Sequence, residues 1–144
     1  GGYIYSQGSR AQDNPVGAEV IRLLRESGIP IRQSGRTRFD EPIIDGVISR
    51  DDRGQPIRDG SIDELLAATE IITDGRKAPG PAAATVIVVE TPAFAGSQFD
   101  LRVAAQGAVI QNVRELWQLS DLRLSVQQEP RPREGALSTS GPLQ

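Results

Sequence analysis

Between Asn14 and Gly28 several helix signals coincide, and this segment constrains what the rest of the chain must supply. Asn14-Pro15 offers an N-cap followed by proline at the first helical position, where a missing N–H costs nothing. Val16, Val20, Leu23, Leu24 and Ser27 then recur on one face, and Gly28 stops the run with the residue best able to turn left-handed. A helix apolar on one side cannot stand alone in water and needs a partner layer. Tyr3-Ile4-Tyr5-Ser6 before it and Ile29-Pro30-Ile31-Arg32 after it are short and rich in strand formers, with a polar loop from Gln7 through Gly8 to Asp13. Strand, loop, helix and strand in this order predict a sheet covered by a helix.

Further along, Ser34-Gly35 and Asp45-Gly46 punctuate the chain. Val47-Ile48-Ser49-Arg50 and Gln55-Pro56-Ile57-Arg58, joined by Asp51-Asp52-Arg53-Gly54, read as a hairpin whose proline places the second arm at an edge. Ser61 as N-cap and Glu64 three residues later form a capping box for a second helix running through Leu65, Leu66, Ala68, Thr69 and Ile72. Ile71-Ile72-Thr73 could instead turn into a strand before Asp74-Gly75. Residues 76–84, with two prolines and one glycine, are the best linker or long loop, and any division into subdomains falls there.

The second half is more β-like, with strands expected at 85–90, 98–105 and 121–127; Leu122, Leu124 and Val126 alternate in the last. Residues 112–119, around the only tryptophan, lean towards helix. From Glu129 the chain is dominated by Pro, Arg, Gly, Ser and Thr, with Leu137 and Leu143 as its apolar anchors. Such a tail cannot repay its own ordering entropy and is expected to order on a partner. The fold expected is α+β: a compact mixed domain over 1–128 with two helices and six to eight short strands, then an extended tail over 129–144.

Function is constrained mainly by what is missing. There is no Cys, no His and no Met among 144 residues, so thiol nucleophiles, Ser-His-Asp triads, ordinary zinc sites and haem or iron–sulfur ligation are excluded. No cofactor is expected. Sixteen basic residues against nineteen acidic leave a net charge of −3, which speaks against general nucleic-acid binding through neutralised phosphates. Arg22, Arg25, Arg32, Arg36 and Arg38 could still form a local patch, but Asp40, Glu41 and Asp45 follow at once and suggest a mixed surface. Six aromatics are too few to build both a core and a base-stacking platform. No apolar run approaches a membrane span, and the sequence assigns no compartment.

Two clusters carry what chemistry remains. Ser6, Gly8, Ser9 and Arg10, leading into the helix, combine hydroxyls, a guanidinium and helix N-terminal amides, the ingredients of an anion site or of an ordinary polar connector. Neither the G-x-x-x-x-G-K-[ST] nor the G-x-G-x-x-G phosphate motif is present. Asp51, Asp52, Asp59, Asp63 and Glu64 could supply oxygen ligands to a cation, or serve as turn acids and caps; they lack EF-hand spacing. Trp117, with Leu137 and Leu143, is the candidate interface residue, since tryptophan is enriched at binding hot spots.

The expected function is a non-enzymatic structural or assembly module acting through a protein partner or self-assembly. The Gly1 and Gln144 ends suggest a processed piece of a larger chain, as in a virion, an appendage or a multi-subunit complex. The alternative is a small-molecule or phosphate-binding domain, in one version an enzyme that uses carboxylates and a divalent cation.

Overall fold

The computed structural model describes residues 1–10, 15–92 and 98–121. Its elements in chain order are β1 (Tyr3–Gln7), α1 (Val16–Glu26), β2 (Ser34–Arg36), β3 (Pro42–Ile44), β4 (Val47–Ile48), α2 (Ile62–Ala67), β5 (Glu70–Thr73), β6 (Arg76–Pro79), β7 (Val86–Glu90), α3 (Phe99–Gln111) and α4 (Val113–Asp121). The expected α+β class holds, with four helices rather than two among the described residues.

Five strands form one sheet in the order β2-β3-β4-β1-β7, and β5 and β6 form a separate hairpin. The central strand β1 runs parallel to β4, pairing Ile4 with Val47, and antiparallel to β7, pairing Ile4 with Val89 and Ser6 with Ile87. Side chains alternate along a strand, so these residues share one face. That face meets α1: Ile4, Val16, Val20, Ile21, Leu23, Leu24 and Ile29 form the buried cluster, and Val47, Ile87 and Val89 pack against it. Helices α3 and α4 add Ala105 and Leu116 to the same core.

The end of α1 is built as the sequence predicts. Gly28 adopts φ +86°, its N–H donates to the Arg25 carbonyl at 2.9 Å, and the Ile29 N–H donates to the Leu24 carbonyl at 3.1 Å. This pair of bonds is a Schellman motif, and it delivers Ile29 back into the core next to the helix it leaves. At the other end the helix starts at Val16 with Pro15 in the cap position; Asn14 lies outside the described residues.

Several expectations need correction. Ile29-Pro30-Ile31-Arg32 contributes one isolated parallel bridge between Gly2 and Ile31 instead of a strand. The hairpin expected from Val47 to Arg58 reduces to a single Arg50–Pro56 bridge, because β4 instead pairs with β3 through the Asp45-Gly46 turn. Asp45 and Gly46 have φ of 50° and 83°, the two left-handed positions that a tight type I′ hairpin turn requires. Asp74 and Gly75, at 52° and 72°, do the same between β5 and β6, so the expected loop over 76–84 begins with a strand. Residues 98–105 form the start of α3, not a strand: three alanines in the helix favour it, and Leu101, Ala105 and Val109 fall at i, i+4, i+8 towards α1. Asp121 closes α4, while the rest of the expected strand over 121–127 and the tail over 129–144 lie outside the described residues.

The capping box expected at α2 is not made: the Ser61 N–H donates to Asp59 Oδ1 instead of Glu64. Ser61 holds an extended cap conformation but makes no side-chain cap bond, and the Glu64 carboxylate accepts the Gly60 N–H at 2.7 Å. Ser61→Ala is therefore expected to cost less than about 0.5 kcal/mol, below the usual loss of an N-cap acceptor. Leu24→Ala, at a fully buried position, is expected to cost about 2–5 kcal/mol. Urea denaturation midpoints of the two variants check both values.

Candidate functional site

Parallel pairing of β1 with β4 sends both strands out at the same edge of the sheet, so the loop after Gln7 and the loop after Ser49 meet there. In open sheets the carboxyl edge of parallel strands is where ligand crevices form. A cavity of about 500 Å³ lies at this edge, walled by Gln7, Gly8 and Ser9, by Arg50 and the 56–58 segment, and by the end of α2. Gly8 is forced by close approach: its φ is +112°, and a Cβ there would stand 2.4 Å from the Ala84 carbonyl oxygen.

The expected anion loop divides across the sheet. Gly8 and Ser9 line the cavity. Ser6 turns the other way, buried beneath α1, where a Cβ added to Gly17 would lie 3.7 Å from its hydroxyl. Arg10 reaches Asp121 at the end of α4, 3.6 Å away, and its N–H donates to the Ala84 carbonyl. Residues 11–14, which connect this loop to the N-terminus of α1, lie outside the described residues.

What joins Gly8 and Ser9 is a set that sequence reading passed over: Gln7, Arg50 and Arg58. Gln7 is 4% exposed, and its side-chain amide nitrogen has no hydrogen-bond partner among the described residues. Leaving a buried donor unpaired costs about 1–3 kcal/mol. Arg50 gives one Nη to the Gly54 carbonyl at 2.7 Å. The two acids in the wall are occupied: Glu64 by the Gly60 N–H, and Glu70 by Lys77 at 2.8 Å. The strand parity of Gln7 was legible, but its neighbours come from a loop some forty residues downstream, and only the parallel pairing joins them.

The proposed cation cluster disperses into local jobs. Asp51 Oδ1 accepts the N–H groups of Arg53 and Gln55, and Asp59 accepts the Ser61 N–H. Asp52 is bound in a forked pair by Arg36, at 3.0 and 2.6 Å, which holds its carboxyl below the usual range. Asp63 is buried. Among the described residues no group of three or more acids is placed to hold a metal ion.

On the sheet face away from α1, the Tyr5 hydroxyl donates to Glu41 Oε2 at 2.8 Å, and Thr37 Oγ1 donates to the same oxygen at 2.7 Å. The Thr37 oxygen in turn accepts the Phe39 and Glu41 N–H groups. Burial first, and then the bond to Glu41, push the Tyr5 phenol above its ordinary 10.0. This clasp ties the β2–β3 loop to the central strand.

Trp117 is 73% exposed on α4. Leu137 and Leu143 lie outside the described residues. No helix among the described residues is long and apolar enough to cross a membrane. Comparison of the chain with protein families, with curated proteins and with solved structures finds no match.

The raised phenol predicts alkaline sensitivity. Folding favours neutral Tyr5, so its contribution is complete below about pH 10 and is lost as pH rises towards the folded value. Tyr5→Phe should cost about 1–2 kcal/mol at neutral pH, the low side for a hydrogen bond to a charged group because Tyr5 is half-exposed. It should also flatten the fall in stability above about pH 10, with the remaining slope left to Tyr3, whose phenol is raised as well. Denaturation midpoints of both proteins across the alkaline range measure this.

Proposed function

We propose that this chain is a non-enzymatic assembly module that works through protein–protein contacts, and that its contact face is the outer surface of α3 and α4. The observation that carries this reading is an apolar strip: Phe99, Val103, Ile110, Val113 and Trp117 are all 53–73% exposed. Phe99, Val103 and Ile110 share one side of α3, while Leu101, Ala105 and Val109 on the other side pack against the core. A helix apolar on both sides belongs in an interior, and contiguous exposed apolar surface marks an interaction site.

The partner proposed is a second copy of the chain. The charges on α3 and α4 balance, with Asp100 and Glu115 against Arg102 and Arg114, so the surface does not select a strongly charged partner. An apolar strip can cover its own copy in a two-fold pairing, and two-fold dimers are the commonest assemblies. Trp117 then serves as the central anchor, in keeping with the enrichment of tryptophan at interface hot spots.

Sedimentation equilibrium tests the proposal. The wild-type chain should associate in the micromolar range, and Ile110→Asp should shift it to monomer without changing the far-ultraviolet circular dichroism. A wild-type chain that stays monomeric at high micromolar concentration would overturn self-assembly.

A further inference from the structure

We propose a ligand site in the cavity at the carboxyl edge of β1 and β4: it binds a small organic oxyanion, a carboxylate or a phosphate monoester with an apolar body, through Gln7, Arg50 and Arg58.

Gln7 is the first support. It follows Tyr3 and Tyr5 on the sheet face away from α1, it forms part of the cavity wall, and its buried amide nitrogen has no acceptor among the described residues. A buried donor is normally satisfied by protein, water or ligand, so an orphan at a cavity wall calls for an acceptor from outside. Gln7 borders the cavity, and a small side-chain rotation on binding would bring its amide to an acceptor there.

The charges in the wall say which acceptor. Arg58 forms no ion pair among the described residues, and Arg50 spends one Nη on the Gly54 carbonyl, leaving the rest of its guanidinium fork available. Glu64 and Glu70, the acids nearby, are already engaged by the Gly60 N–H and by Lys77. The unspent groups are therefore donors, two of them cationic. Guanidinium forks match the oxygens of carboxylates and phosphates, and they repel a metal ion. Ser9, exposed at the rim, adds a hydroxyl on the same side.

Volume and lining specify the remainder of the ligand. About 500 Å³ falls in the range of small-molecule pockets and leaves a bare ion surrounded by empty space. Pro56, Ile57, Ala67 and Ala68 form an apolar wall against which an organic body can rest. Arg58 also borders a larger cleft of about 750 Å³, but there its companions are Asp51, Asp52 and Asp59, and the other guanidinium, Arg36, is already held by Asp40 and Asp52.

Titration of the whole chain with phenyl phosphate, benzoate, inorganic phosphate and acetate, followed by ¹⁵N-correlated spectra, tests the site. Phenyl phosphate or benzoate should bind saturably, shift the Gln7 side-chain amide resonances, and bind more tightly than the matching bare anion; whichever organic probe binds names the headgroup. Arg58→Ala, at an exposed position, should keep the fold and weaken binding roughly tenfold, as loss of a charge-assisted hydrogen bond does. Failure of all four probes to bind saturably would overturn the proposal. So would bare anions binding as tightly as the organic ones, or an affinity unchanged when Arg50 and Arg58 are both replaced by alanine in a chain that retains its spectrum.

Discussion

The contact between α1 and β1 organises the rest of the chain. Ile4 is fully buried at the centre of the sheet, and Val20 and Leu24 are fully buried on the helix above it. Gly17 lies over Ile4 and Ser6, where a side chain would come into direct contact with both. Because β4 runs parallel to β1, the chain must cross the sheet before β4 can form, and α1 is part of that crossover. The Schellman turn then brings the chain back at Ile29. Placement of the loops at one edge, and so the cavity, follows from this single choice of strand direction.

Polar groups along β1 fare differently. The Tyr5 hydroxyl and Thr37 converge on Glu41, and each donor has its acceptor. On the same strand, Ser6 and Gln7 each carry a buried polar atom without a partner among the described residues. Ser6 sits under α1, in the apolar interior, where no ligand can reach it. Gln7 borders the cavity instead. The difference is why Gln7, and not the serine singled out from sequence, carries the ligand proposal.

How much could be read beforehand varies with the range of the forces involved. The helix from Val16, its Gly28 stop and the strand at Val86–Glu90 were legible because caps, proline and apolar period are local signals. Ser61 illustrates the limit of such signals: its spacing to Glu64 is right, but the side-chain bond that defines the box is not made. Pairing was less legible. Asp45-Gly46 and Asp74-Gly75 mark tight turns in the sequence, yet Arg76-Lys77-Ala78-Pro79 has little hydrophobic content to advertise a strand, and its hydrogen bonds come from the backbone of β5. Arg50 and Arg58 carry no sequence mark as site residues, because their position depends on the parallel register of β1 and β4.

Residues 98–105 show how a misread pattern and a surface can share one cause. A helix that packs on one side and faces water on the other has a strong period, and α1 has it. In α3 the apolar residues occupy two sides, Leu101, Ala105 and Val109 towards the core and Phe99, Val103 and Ile110 away from it, so the period cancels and the segment resembles a short strand. The loss of amphipathic signal is itself a physical statement. On α3 the polar residues Asp100, Arg102, Gln106 and Gln111 only flank the two apolar sides, and the outer side remains costly to hydrate until another surface covers it. The same residues that hid α3 from a reading of period are therefore those on which the assembly proposal rests.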